Sequence, residues 1–210
     1  MPQPGHITAL READESTLPE DLRPYFQKCR DKLGFVPNVL RAWLLRPERL
    51  RNFIRAYDEL MLAPGGLSKL EREMIAVAVS SWNRCYYCLV AHGAAVRKLS
   101  GDPQLGEMMV FNYRVAELEP RQRTMLDFAV KLTAAPHEVS EADRRGLREV
   151  GFSDEDIFDL AEVAGFFNYT NRVAHAVDMM PNPEYHDLAR RASPPTPAGV
   201  SGSTPEIISA

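Results

Sequence analysis

The sequence has no apolar run long enough to cross a bilayer. Its longest, Met74-Ile75-Ala76-Val77-Ala78-Val79, is far short of the roughly 20 residues a spanning helix requires, which excludes an integral helical membrane protein. Charge of one sign is also missing: 25 Lys and Arg against 29 Asp and Glu leave −4, without the basic field that dominates nucleic-acid affinity. Cysteine is scarce. Cys29, Cys85 and Cys88 are too few and too unevenly spaced for a disulfide framework, so the pair separated by two residues points to redox or metal chemistry in a reducing compartment. The N-terminus, Met1-Pro2-Gln3-Pro4-Gly5-His6, lacks the basic start and apolar stretch of a secretory signal. These absences predict a cytoplasmic protein with no nucleic-acid or membrane partner. What is present, 45% apolar and 26% charged residues in 210, is the composition of an ordinary globular domain.

Apolar residues recur at three- and four-residue spacing, and period-2 alternation bounded by hairpin turns is absent, so the chain reads as all-α. The expected organisation is an irregular N-terminal segment at 1–18, a helical domain at 19–191 and a disordered Pro/Ser-rich tail at 192–210. Punctuation sets the helices. Pro24 and Gly34 bracket the first, Pro37-Asn38 opens a short one, and Pro47 starts one reaching about Leu62. Ser68 with Glu71 reads as a capping box for a helix to about Trp82, and a second helix from about Cys85 to Leu99 completes a hairpin. Asp102-Pro103, Glu119-Pro120, Ser140 and Ser153 open four more, the last running to about Met179. Ser68, Ala76 and Asn83 recur as Ser153, Ala161 and Asn168 at a constant offset of 85, a faint internal echo in which Thr170 and Val173 stand where the hairpin has Cys85 and Cys88.

The chemistry concentrates in the hairpin. Cys85 and Cys88 share a face near a helix N-terminus, whose partial positive charge, with Arg84, favours thiolate. His92 lies one turn beyond Cys88 but seven residues, about 10.5 Å at ~1.5 Å per residue, from Cys85, so it is the candidate base for Cys88. Glu73 and His92 are equidistant from the Trp82–Asn83 turn, which in an antiparallel hairpin sets the carboxylate level with the imidazole it would orient. Tyr87 could add a hydroxyl to that relay. A zinc site would need a fourth ligand beside Cys85, Cys88 and His92, and none is near in sequence. Cys29 reads as a packed or half-exposed thiol, His6, His137 and His186 as surface residues, and His175 as a packing residue.

The spacing Glu-x11-Cys-x-x-Cys-x3-His, carried by Glu73, Cys85, Cys88 and His92, resembles the signature of the AhpD-like alkyl hydroperoxidases in the carboxymuconolactone decarboxylase superfamily. Gly34-Phe35-Val36-Pro37-Asn38, Leu67 to Glu73 and Asn168-Tyr169-Thr170-Asn171-Arg172 are similar to its peroxidase-related branch. The resemblance implies a helical fold forming a homo-oligomer, trimer or hexamer where a dimer is the minimal alternative. It implies peroxide as substrate, Cys88 as the peroxidatic and Cys85 as the resolving cysteine, a Glu73–His92 proton relay, and no bound cofactor. The reductant would be an external dithiol such as dihydrolipoamide or a lipoyl-bearing protein. Tyr87 departs from the family pattern, which has histidine just before the second cysteine. Two other readings stay open: a thiol–disulfide sensor or binding module without turnover, and decarboxylase or lactone chemistry, which has no need of a dithiol.

Overall fold

The computed structural model describes residues 3–191, so the expected tail at 192–210 lies outside the described residues. Among these the chain forms nine α-helices and no strand: α1 (Arg23–Leu33), α2 (Asn38–Trp43), α3 (Pro47–Tyr57), α4 (Lys69–Trp82), α5 (Tyr86–Ser100), α6 (Pro103–Asn112), α7 (Pro120–Ala134), α8 (Glu141–Glu149) and α9 (Asp154–Ala176). The protein is all-α.

Local chemistry accounts for the ends. Ser68 accepts from the Glu71 N–H while the Glu71 carboxylate accepts from the Ser68 N–H, and Ser153 with Asp156 repeats the arrangement at α9. Gly34 closes α1 and Gly101 closes α5, both with positive φ. Two helices end differently from the sequence expectation. Beyond Tyr57 the chain widens into a π-helical turn, Asp58–Leu62, in which the Ala63 N–H reaches the Asp58 carbonyl; this buries Met61 and leaves Asp58 to accept from the Tyr25 hydroxyl at 2.9 Å. α9 stops at Ala176 rather than near Met179, because Asp178 turns left-handed (φ 51) and the Met179 N–H closes back on the Ala174 carbonyl.

α4 is the axis of the fold. It is apolar on every side from Met74 to Val79 and buried from Glu71 to Ser80, with α5, α6, α7 and α9 packed around it. Each fully buried Met or Ile here contributes about 1.5–3 kcal/mol of hydrophobic stabilisation. α5 answers with small residues, Ala91, Gly93, Ala94 and Ala95, which let it lie close to its neighbours. At Gly106 of α6 a Cβ would come within 2.4 Å of the Arg97 side chain and 3.2 Å of the Gly93 carbonyl, so this crossing requires glycine. One apolar cluster joins α4 to α7 and α9; a second joins α1, α2 and α3 to α5 and includes all three cysteines. The candidate site residues Cys85 and Cys88 belong to the second cluster.

Candidate active site

The turn between α4 and α5 sets the cysteines. The Arg84 N–H returns to the Ser81 carbonyl and the Cys85 N–H to the Ser80 carbonyl at 2.9 Å, a Schellman closure whose left-handed position is taken by Arg84 (φ 55) instead of glycine. A side chain there costs on the order of 1 kcal/mol, strain stored beside the site. The turn makes Cys85 the N-cap of α5 and puts Cys88 in its first turn, where unpaired N–H groups concentrate positive potential.

Across the hairpin, the His92 Nδ1 and Glu73 Oε2 are 2.6 Å apart, each residue 3% exposed. A carboxylate only accepts, so Nδ1 carries the proton and Nε2 is left for chemistry. Phe167 stands edge-on to the imidazole at 4.7 Å between centroids and fixes its plane. The equidistance from the turn read from the sequence and the hydrogen bond found in the structure are the same fact: in an antiparallel hairpin, equal distance from the turn means equal height.

Cys85 and Cys88 are free thiols, 1% and 4% exposed. Their acidities are driven apart. The Cys88 thiol and backbone N–H favour the ionised Cys85 sulfur and, against the cost of burial, bring it down to about 7, with smaller help from His175 and His92. Cys88, donating its proton to Cys85 and fully enclosed, is pushed well up, although Asn171 and Ser80 act in the opposite sense. Of the two, Cys85 is therefore the more readily ionised sulfur and Cys88 the one that holds its proton.

Hydrogen-bond accounting explains the last two residues, both wholly buried. Asn83 Nδ2 donates to Asn171 Oδ1 at 2.9 Å, which turns the Asn171 amide so that Nδ2 donates to Ser80 Oγ at 3.0 Å. The second Asn171 N–H and the Ser80 hydroxyl proton are then directed to the Cys88 sulfur. Asn83 also donates to Asn168 Oδ1 at 3.0 Å, a bond between two residues related by the offset of 85. Neither Ser80 nor Asn171 was singled out from the sequence; the echo at Asn83 and Asn168 was the available signal. His175, read as a packing residue, is exposed, with Nε2 3.0 Å from the Asn83 carbonyl and an electrostatic reach to Cys85.

Cys88 and His92 line one cavity, walled by Trp43, Phe53, Tyr57 and Phe167. Its room for water-molecule centres is about 20 Å³, enough for one or two small polar molecules. Cys85 is not among its lining residues. Tyr87 also borders the cavity, but its hydroxyl accepts from the Val39 N–H at 3.1 Å and burial raises its pKa, so it anchors α2 to α5. No group of three or more Cys, His, Asp or Glu among the described residues is arranged to hold a metal ion, and no helix is long and apolar enough to cross a membrane.

Residues 48–105, from α3 into α6, match the Carboxymuconolactone decarboxylase family. The chain is 60% identical to an uncharacterized peroxidase-related protein from Silicibacter sp. TM1040 over 90% of this chain and 100% of that one, with a TM-score of 0.86. It is 44% identical to an uncharacterized peroxidase-related protein with an alkylhydroperoxidase AhpD core from Ralstonia eutropha JMP134, again over 90% and 100%, with a TM-score of 0.88. The debrominase Bmp8 in complex with 2,3,4-tribromopyrrole shares the fold at 18% identity, 89% and 96% coverage and a TM-score of 0.72. No functionally curated protein matches the sequence. With relatives this similar over their whole length, the chain belongs to the carboxymuconolactone decarboxylase family, as an AhpD-like, peroxidase-related member.

Proposed function

We propose that this protein is a thiol-dependent peroxidase acting through Cys88, Cys85, His92 and Glu73. The observation that carries the reading is the buried Glu73–His92 pair, with His92 and Cys88 lining one narrow, mainly apolar cavity and a low-pKa thiol three residues away. When a hydroperoxide ROOH enters, His92 Nε2 takes the Cys88 proton. The thiolate attacks the terminal peroxide oxygen, the O–O bond breaks, and the departing RO⁻ receives that proton as ROH. Glu73 stabilises the transient imidazolium, while Ser80 and Asn171 donate to the reacting sulfur. Cys88 is now a sulfenic acid. The Cys85 thiolate attacks its sulfur, hydroxide leaves and is protonated to water, and the disulfide forms. An external dithiol reduces it by exchange and is itself oxidised to a disulfide, so that ROOH and one dithiol yield ROH, water and one oxidised carrier. Tyr87 serves by holding the cavity wall.

Dihydrolipoamide, free or on a lipoyl protein, is the proposed donor, and the cytoplasm, where thiols stay reduced, the proposed location. A homo-oligomer is proposed as well: Trp82, Phe111, Val115 and Phe158 are large apolar side chains at the surface, Phe111 83% exposed, and would be covered by a second copy. The activity is tested by peroxide consumption coupled to dihydrolipoamide oxidation. Stoichiometric turnover that vanishes in Cys88→Ser is expected; turnover that survives the substitution, or a wild-type disulfide that forms without any catalytic cycle, contradicts the reading and favours a sensor.

A further inference from the structure

The catalytic cavity has room for hydrogen peroxide or for the –OOH end of a larger molecule, but not for an organic body. Beyond one of its walls lies a groove of about 200 Å³ that shares only Trp43 and Met179 with it. Its lining is mainly apolar, with Leu10, Leu45, Val173 and Val177, and its only charged members are Arg46 and Arg49. Both arginines are exposed, and neither pairs with a carboxylate among the described residues. Arg51, Arg121, Arg144, Arg148 and Arg190 are all paired, and the exposed Arg41, Arg55 and Arg145, which like Arg46 and Arg49 have no carboxylate partner, do not line the groove. Two uncompensated guanidinium groups at the rim of an apolar groove, in a chain of net charge −4, are complementary to an anion with an apolar body.

Trp43 and Met179 face both spaces. Trp43 is half-buried at the last position of the six-residue α2, stacked on Phe53 at 5.0 Å and tilted toward Tyr169 at 6.1 Å; Met179 is unbranched and follows the left-handed closure of α9. Both can shift without breaking a hydrogen bond of the relay.

We propose that this groove is a substrate subsite, and that the preferred substrate is an organic hydroperoxide bearing a carboxylate. Its apolar body lies in the groove, its carboxylate meets Arg46 and Arg49, and its –OOH passes between Trp43 and Met179 to Cys88. The inference rests on the peroxidase reading for the reaction, but binding can be measured apart from it. The probe is 4-(2-hydroxypropan-2-yl)benzoate, the alcohol that a carboxylated cumyl hydroperoxide would leave, against uncharged 2-phenylpropan-2-ol. Each is titrated by calorimetry into protein carrying Cys88→Ser and Trp82→Phe, so that Trp43 is the remaining tryptophan. The carboxylate should bind about tenfold tighter, the magnitude of one partly exposed charge-assisted contact, and should change the Trp43 emission. The advantage should disappear in Arg46→Gln/Arg49→Gln and shrink with added salt. Equal binding of the two alcohols, an advantage that survives the double substitution, or binding without a change at Trp43 overturns the subsite. In Cys88-containing protein, the kcat/KM ratio of the carboxylated to the uncharged hydroperoxide should fall by the same factor when both arginines are replaced. If the wild type reduces neither peroxide, the peroxidase reading fails while the binding result still judges the groove.

Discussion

Cys29 and the Cys85–Cys88 pair occupy the same apolar cluster, yet the Cys29 and Cys85 thiols are shifted in opposite directions. Cys29 lies inside α1, wholly buried, and burial pushes it up to about 11, with Asp58 adding to the rise and Lys28 opposing it. Cys85 is just as enclosed and is brought down to about 7. Burial is common to both, so it cannot make a thiol reactive; the neighbours decide. Cys85 caps a helix and receives the Cys88 proton, whereas Cys29 faces side chains that offer its sulfur little. The cavity then separates the pair itself, because the more acidic sulfur is not on its lining and the sulfur that is, Cys88, is the one beside His92, Ser80 and Asn171.

The largest way to break this contrast is at the relay. Replacing His92 by Ala or Glu73 by Gln should lower the second-order rate of Cys88 oxidation by about 10²–10⁴-fold, the range of a lost acid–base group, measured by stopped flow with hydrogen peroxide. Strong oxidants should still form the disulfide, because the two sulfurs keep their spacing. Next comes the sulfur's own shell. Asn171→Ala removes one donor and frees Ser80, for which a loss of about tenfold in the same rate is expected, as for a hydrogen bond to a charged group worth about 1.5 kcal/mol.

Acidity itself gives a third test. Thiolate ultraviolet absorbance should rise as pH passes through about 7, a step missing from Cys85→Ser, while Cys29 in folded protein should add no step through pH 9. The linked stabilities have opposite signs. Cys85 is depressed from an ordinary 9.0, so its contribution is complete above 9 and lost as pH falls through about 7. Cys29 is raised from 9.0, so its contribution is complete below 9 and lost as pH rises through about 11. A denaturation series across pH 6–11 should show the gain first and the loss after it. The smallest effects are expected at positions outside the chemistry. Cys29→Ala should leave turnover unchanged and cost about 1 kcal/mol of packing, and Arg84→Gly should gain about 1 kcal/mol by relieving the left-handed turn, both read from urea melts.

Much of this contrast was legible in the sequence where it depends on spacing along one helix or one hairpin. Ser68 with Glu71 and Gly34 fixed helix ends through local hydrogen bonds, and the equal distance of Glu73 and His92 from the turn gave their juxtaposition. The rest depends on how a third helix is rotated against that hairpin. Asn171 reaches Cys88 only because α9 packs against α4, and no pattern in α9 says which of its faces meets the site. Trp43 lies on a six-residue helix whose place is set by the Val39–Tyr87 hydrogen bond, a link across 48 residues. The π turn at Asp58–Leu62 carries no composition signal, since its residues would serve an α-helix equally well. His175 was misjudged for the same reason: it sits in an apolar helix, and its exposure follows from where α9 ends.

The central claim is that the peroxide meets Cys88 and that Cys85, although more acidic, only resolves. One experiment separates the two sulfurs. Cys85→Ser and Cys88→Ser proteins are each mixed with one equivalent of hydrogen peroxide in the presence of dimedone, and the adduct is located by mass spectrometry. The account predicts rapid, stoichiometric labelling of Cys88 in the first protein and none at Cys85 in the second. Dimedone on Cys85 in the Cys88→Ser protein, at a rate matching wild-type oxidation, would mean that acidity rather than the relay selects the attacking sulfur, and would contradict it.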